Sequence, residues 1–183
     1  MTEEEYLRVE RAAEGRSEFV NGEAREVTGA SPGHSMLAGG VLSELVGQLR
    51  GKGCAVMNCL MRMRVPAGSY LYADLVVVRG PVKLYGDSDD VLVNPILLAE
   101  VMSPATADYD RGAKFEMYRT IPTLREYVAI HQDSVFVEHW ARNEDASWTL
   151  REYRGEEARV PLSSIECELH LGSLYEGILE EPV

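Results

Sequence analysis

The spacing of apolar positions predicts a long amphipathic helix in the first third of the chain. Ser31 followed by Pro32 is a favourable N-cap and first-turn pair, and the helix is expected to reach about Arg50. Apolar residues recur every four positions along one side of this segment. These residues are Leu37, Val41, Leu45 and Leu49. The pattern therefore predicts a helix that packs this side against a core.

A helix and a β-hairpin are predicted before it. Thr2 and Glu5 have the spacing of a capping box, so a helix should run from there to about Ala13. RSEFV and EAREVT flank the Asn21–Gly22 pair, which is a strong hairpin signal. The N-terminal part of the chain is thus expected to form a helix, a hairpin and a second helix.

Strand-like apolar stretches dominate the rest of the chain. In chain order they are CAVMNCL, MRMRV, YLYADLVVV, VLVNPILLAEVMS, REYVAIH, SVFVEHW and WTLREYR. A helix from Thr106 or Asp108 to about Thr120 should separate the fourth stretch from the fifth, and LGSLYEGI should form a short terminal helix. This order predicts an α/β (α+β) fold, with one central mixed β-sheet flanked by helices, in a single domain over residues 1–183.

Charge and hydropathy narrow the possible functions. The formal net charge is −12, which counts against extended non-specific binding to nucleic acid. Arg62 and Arg64 should nevertheless share one strand face, as a local basic patch or as a solvated edge. No apolar run reaches the roughly 18 residues of a membrane span, and the acidic N-terminus does not resemble a secretory signal. We therefore expect a cytoplasmic protein that does not enter a membrane.

Two carboxylates in apolar strands are the main chemical signal. Asp74 lies within YLYADLVVV and Glu100 within PILLAEVMS. A buried carboxylate costs free energy unless it is neutralised, and one divalent cation could neutralise both if the strands are neighbours. The backbone carbonyl of Val101 could add a third oxygen ligand. The alternative is that each acid lies at a strand end and is solvated or paired with an arginine.

Four further residues are candidates for the same site. Lys114 should lie on one side of its helix with Tyr118, where it could orient a water and stabilise negative charge on a phosphate. An ordinary salt bridge with Asp110 is the alternative for Lys114. His34, near a helix N-terminus, could help to hold a phosphate. Glu18 on the first hairpin could contribute a further acidic group, and we count His34, Glu18 and Tyr118 as candidate substrate-binding residues.

The chain resembles the Uma-type restriction endonuclease family, a domain of unknown function in the PD-(D/E)XK nuclease superfamily. The resemblance rests on SEFVNGEAREVTGASPGHS, YLYADLVVV and LLAEVMSPATADYDRGAKFEMYRTIPTLREYVAI. It implies a restriction-endonuclease-like sheet flanked by helices and a metal-dependent site, in which Asp74 and Glu100 match the two motif acids. Ala73 stands where the motif has proline, and Met102 where it has lysine. In this family a lysine of the next helix, here Lys114, stands in for the motif lysine.

These observations lead to one leading hypothesis and two alternatives. The first is a Mg²⁺- or Mn²⁺-dependent endonuclease acting on DNA, with Asp74, Glu100 and Lys114 as catalytic residues. The second is a catalytically inactive, homo-oligomeric binding protein on a nuclease scaffold. The third is a hydrolase of another phosphate ester, because a fold alone does not determine the substrate. In the first case a dimer is expected, since two sites can cut both strands of a duplex.

Overall fold

The structure is a computed structural model that describes residues 1–27 and 29–179. The helices are α1 (Glu3–Ala12), α2 (Pro32–Leu49), α3 (Ala107–Tyr109), α4 (Phe115–Tyr118) and α5 (Leu171–Tyr175), with a π-helical turn (Asp110–Lys114) joining α3 to α4. The first seven strands are β1 (Ser17–Val20), β2 (Glu23–Glu26), β3 (Cys54–Asn58), β4 (Arg62–Arg64), β5 (Tyr70–Tyr72), β6 (Leu75–Arg79) and β7 (Val91–Leu92). The remaining strands are β8 (Leu97–Met102), β9 (Glu126–His131), β10 (Phe136–Arg142), β11 (Trp148–Arg154), β12 (Arg159–Leu162) and β13 (Cys167–His170).

The central sheet has six strands in the order β11-β10-β9-β8-β6-β3. Strands β8 and β9 are parallel, and the other neighbours are antiparallel, so the sheet is mixed as predicted. A second sheet has the order β2-β1-β5-β4-β7, and β12 pairs with β13 in a separate hairpin. The expectation of one sheet is therefore wrong in this detail, because the chain divides its strands among three sheets.

The division arises at two breaks within stretches that look continuous in the sequence. YLYADLVVV separates into β5 and β6, which belong to different sheets, and Asp74 lies at the break. VLVNPILLAEVMS separates into β7 and β8, with Asn94 and Pro95 in the connection. The β12–β13 hairpin was not predicted. Pro95 accounts for the break between β7 and β8, because proline lacks a backbone donor and interrupts a strand. No comparable local signal marks the break between β5 and β6.

Two apolar cores cover the two faces of the central sheet. On one face α2, α5 and the β12–β13 hairpin pack against β6, β8 and β9, and the predicted leucine and valine side of α2 is buried there. On the other face the α3–α4 segment and the five-stranded sheet form the second core. Helix α1 covers the far side of the five-stranded sheet through Tyr6, which stacks on Phe19.

The predicted N-terminal elements are confirmed closely. Thr2 and Glu5 form the capping box of α1, and Ser31 caps α2 by accepting a hydrogen bond from the His34 amide. Asn21 and Gly22 both have positive φ, as the turn between β1 and β2 requires. Over the described ranges, no helix has the length and apolar character needed to cross a membrane.

Candidate active site

A cleft of about 760 Å³ opens where β6 begins and β8 ends. Its floor contains Asp74 and Glu100. One wall is the β1–β2 hairpin, the second is the N-terminal half of α2, and the third is the segment from β8 to the π-helical turn. The cleft thus lies between elements that are far apart in the chain and meet only at this end of the central sheet.

Asp74 and Glu100 lie on neighbouring strands and face each other. Leu75 pairs with Ala99 in the antiparallel β6–β8 ladder, so the preceding residue, Asp74, lies opposite Glu100. Asp74 Oδ2 accepts a hydrogen bond of 2.8 Å from the amide of Val101, and the amide of Asp74 lies 3.4 Å from Glu100 Oε2. The structure therefore brings together the three residues considered for a metal.

Lys114 points into the cleft from the π-helical turn. Its ammonium lies 2.9 Å from Glu100 Oε1 and 3.2 Å from Glu18 Oε1. The alternative partner, Asp110, is farther away at 3.7 Å. Met102 is buried in the second core and offers the cleft no charge. Lys114 thus supplies the cleft with an ammonium that Met102 cannot provide.

Burial dominates the electrostatics of these groups. It raises the pKa of Glu100 well above its usual range, although the ammonium of Lys114 acts in the opposite direction. The pKa of Asp110 is raised for the same reason. Burial by itself would lower the pKa of Lys114, but the neighbouring carboxylates outweigh it and raise that pKa. The site therefore disfavours the ionised forms of Glu100 and Asp110, whereas it favours the charged ammonium of Lys114.

Glu18 and His34 each hold one of the central residues. Besides contacting Lys114, Glu18 accepts hydrogen bonds from the amide of Tyr72 at 3.2 Å and the hydroxyl of Tyr109 at 2.9 Å. His34 Nε2 lies 3.0 Å from Asp74 Oδ2, a contact that raises the pKa of the imidazole against the effect of burial. Glu18 and His34, two of the three residues predicted to bind substrate, thus line the cleft, and their contacts in the structure are with protein groups.

Tyr118 requires a correction. Its side chain is fully buried, and its hydroxyl donates a 2.8 Å hydrogen bond to Glu100 Oε1 and lies 3.3 Å from the carbonyl oxygen of Tyr72. It therefore supports Glu100 from behind and does not line the cleft. We revise its role from substrate contact to positioning of Glu100.

Asp110 also lines the cleft, and the arginines near it differ from the pair expected from the sequence. Arg62 and Arg64 form neither a basic patch nor a solvated edge, because they are paired with Asp90 and Glu3. The arginines that line the cleft are instead Arg16 and Arg25. The signal for Asp110 is its position four residues before Lys114, which places both side chains on one side of a helix.

The cleft offers two facing carboxylates to a cation and no larger ready-made cage. Within residues 1–27 and 29–179, no group of three or more His, Cys, Asp or Glu side chains is arranged to hold a metal ion. Hard cations such as Mg²⁺ commonly use only one or two protein carboxylates and complete their coordination with water and substrate oxygens. The oxygen-rich floor, with Val101 beside it, fits this mode of binding.

The fold and the acidic cleft define a protein of the restriction-endonuclease-like class. A crystal structure from Anabaena variabilis, described as a putative nuclease belonging to DUF820, shares the fold. It superposes with a TM-score of 0.78 at 17% identity, covering 96% of this chain and 98% of that one.

The chain belongs to the Uma2 family, described as "Putative restriction endonuclease", whose model matches residues 3–172. Two relatives from Synechocystis sp. are both described as uncharacterized proteins. The protein sll1609 is 35% identical over 164 residues, covering 89% of this chain and 93% of the relative. The protein slr1290 is 28% identical over 179 residues, covering 97% and 93%. The expected family and fold class are thus confirmed, and the family supports a nuclease-like function.

Proposed function

We propose that the protein is a Mg²⁺- or Mn²⁺-dependent endonuclease that hydrolyses phosphodiester bonds in DNA. The observation that carries the proposal is the convergence of Asp74, Glu100 and Lys114 in one cleft. Two acids and one cation in a partly dehydrated site match the needs of phosphate hydrolysis, which builds negative charge on the phosphate oxygens.

Asp74, Glu100 and the carbonyl of Val101 would hold the cation. The amide of Val101 faces Asp74, and the carbonyl of the same strand residue points to the same side. When bound, the cation would lower the pKa of a water and polarise the scissile phosphate. The raised pKa of Glu100 supports this assignment, because a buried and poorly neutralised carboxylate gains from a nearby positive charge.

The remaining residues would position these groups. Lys114 would donate to the phosphate oxygens as their negative charge increases, while Glu18 keeps its ammonium in place. Tyr118 would hold one oxygen of Glu100, and His34 one oxygen of Asp74.

Cleavage of supercoiled plasmid with Mg²⁺ or Mn²⁺ tests the proposal. The wild type should nick or linearise the plasmid, and Asp74→Asn should not. Asp108→Asn is a matched control, because Asp108 is exposed and does not line the cleft. Equal cleavage by wild type and Asp74→Asn would contradict the assigned site.

A catalytically inactive binding protein is the second candidate. It is favoured by the 2.9 Å ion pair between Lys114 and Glu100, which occupies both groups in the structure. In that case the wild type would bind DNA without cleaving it in either metal. A purified protein that retains DNA binding but shows no nicking would favour this alternative.

A further inference from the structure

The β1–β2 hairpin presents two arginines to the cleft on either side of Glu18. Arg16 precedes Glu18 by two residues, and Arg25 is the direct cross-strand partner of Glu18. Side chains at these positions share one face of a hairpin. The opposite face is turned towards α1, where Ser17 binds Glu10. The hairpin therefore has one face that packs towards α1 and one face that brings two arginines, with Glu18 between them, to the cleft.

One hydrogen bond positions the guanidinium of Arg16 and leaves its other N–H groups available. Its Nη1 donates a 2.6 Å hydrogen bond to the carbonyl of Cys59, and its guanidinium lies 5.7 Å from the ring centre of Tyr72. Across the part of the chain that the structure describes, the other guanidinium nitrogens of Arg16 have no hydrogen-bond partner. A positioned guanidinium with free N–H groups is well suited to a phosphate.

Arg25 is exposed and only weakly engaged. Its closest carboxylate is that of Glu23 at 3.6 Å, and both side chains are more than half exposed. An exposed pair of this kind contributes little free energy, so a phosphate can replace it at low cost. Lys114, in contrast, is surrounded by carboxylates and is unavailable for general backbone binding.

We propose that Arg16 and Arg25 bind backbone phosphates of a DNA strand in the cleft, so that the β1–β2 hairpin is its DNA-contacting wall. This inference rests on the proposed function and names the groups that hold its substrate. It also explains how a chain with a net charge of −12 can bind a polyanion. The favourable electrostatic contacts are confined to one wall, close to the cleavage centre.

The salt dependence of DNA binding tests this assignment without requiring cleavage. Asp74→Asn serves as the parent, and its binding to a fluorescein-labelled duplex in EDTA is followed by anisotropy at several salt concentrations. Arg16→Gln and Arg25→Gln should each reduce the slope of log K against log salt by about 1, and the double variant by about 2. Arg119→Gln, at an exposed arginine paired with Glu116 outside the cleft, should leave the slope unchanged.

A conservative variant separates phosphate binding from a structural role. Arg16→Lys keeps the charge and should retain most of the slope, even if Arg16→Gln disturbs the contact with Cys59. Binding by the parent with slopes that are unaffected in both glutamine variants would overturn the inference and leave the proposed nuclease standing. A parent that binds no DNA, together with a wild type that cleaves none, would overturn both.

Discussion

Lys114 is the residue on which the chemistry of the cleft depends most. It is buried and lies within 4 Å of three carboxylates, so its ammonium is their counter-ion, and in the proposed mechanism it is also the cation that faces the phosphate. Removing one partner of a buried ion pair leaves an uncompensated charge, which is costly. A change at Lys114 should therefore affect stability as well as catalysis.

We expect Lys114→Met to reduce single-turnover cleavage by at least ~100-fold, the scale for losing one charge-stabilising donor. The free energy of unfolding should also fall by ~3 kcal/mol without metal, because Glu100 loses its partner. Divalent cations should still bind, since an ammonium is not a ligand. Single-turnover kinetics measure the cleavage rate, urea unfolding measures the stability, and calorimetric titration measures cation binding, with Arg119→Met as the control. Cleavage at the wild-type rate would exclude this role.

Glu18 should act through Lys114. We expect Glu18→Gln to lower kcat while leaving the affinity for Mn²⁺ nearly unchanged, because Glu18 contacts the lysine and not the two facing acids. In a Lys114→Met background the same change should have no further effect on kcat. A double-mutant cycle measures this coupling, and Glu23→Gln, at an exposed position of the same hairpin, is the control. Additive losses would show that the two residues act independently.

The raised pKa of Glu100 predicts a pH-dependent cost of folding. Because the folded pKa lies above the unfolded value of about 4.3, ionisation of Glu100 disfavours the fold increasingly as the pH rises from there towards the folded pKa. The difference in unfolding free energy between Glu100→Gln and wild type should therefore shift in favour of the variant as the pH rises from about 4. Urea unfolding across this range measures the trend, and exposed Glu116→Gln should not show it. A constant difference would contradict the electrostatic account.

At the scale of elements, the π-helical turn decides which side chains reach the cleft. Asp110 and Lys114 lie at its two ends, and both are buried towards the site. Such turns are rare and often occur at functional sites. Sequence spacing predicted one continuous helix to about Thr120, whereas the structure joins two short helices through this turn and ends α4 at Tyr118.

A substitution at Gly112 tests whether the backbone of the π-helical turn tolerates an alanine. A Cβ added there would meet no atom within 4 Å, and its φ is not in the left-handed region. Gly112→Ala should therefore stabilise the protein by roughly 0.5–1 kcal/mol, since alanine restricts the unfolded chain more. Urea unfolding measures the gain, and cleavage should be unchanged. A stable variant that has lost cleavage would indicate that alanine alters the geometry of the turn.

At the scale of the whole molecule, the separation of charge is the main feature. A chain with a net charge of −12 places Arg16 and Arg25 beside the cleft that contains Asp74 and Glu100, while Arg62 and Arg64 form ion pairs elsewhere. Long-range repulsion from DNA should therefore be strong at low salt, and binding should depend on the local contacts of the hairpin.

A dimer remains our prediction for the assembly. Cutting both strands of a duplex is simpler with two sites, and two-fold dimers are the commonest oligomers. Sedimentation velocity at micromolar concentration should show a species of twice the 20.4 kDa chain mass. A single monomeric species with full plasmid linearisation activity would contradict this expectation.

Local patterns in the sequence determined the features that depend on contacts between residues close together in the chain. The capping box of α1, the buried side of α2 and the turn at Asn21–Gly22 all depend on residues within a few positions of each other. The alternation of side chains along β8 is a rule of the same kind, and it places Glu100 on one face with Leu98 and Met102. Such short-range rules act before any tertiary contact forms.

Only the tertiary structure decided the partners that are distant in the chain. The contact of Glu18 with Lys114, the burial of Tyr118 behind Glu100 and the strand break at Asp74 depend on how three sheets and the α3–α4 segment pack together. The sequence around an acidic residue, a tyrosine or an arginine does not show whether its side chain will line the cleft or form an internal ion pair or hydrogen bond. That distinction depends on burial and on the nearest opposite charge, and both are properties of the packed molecule.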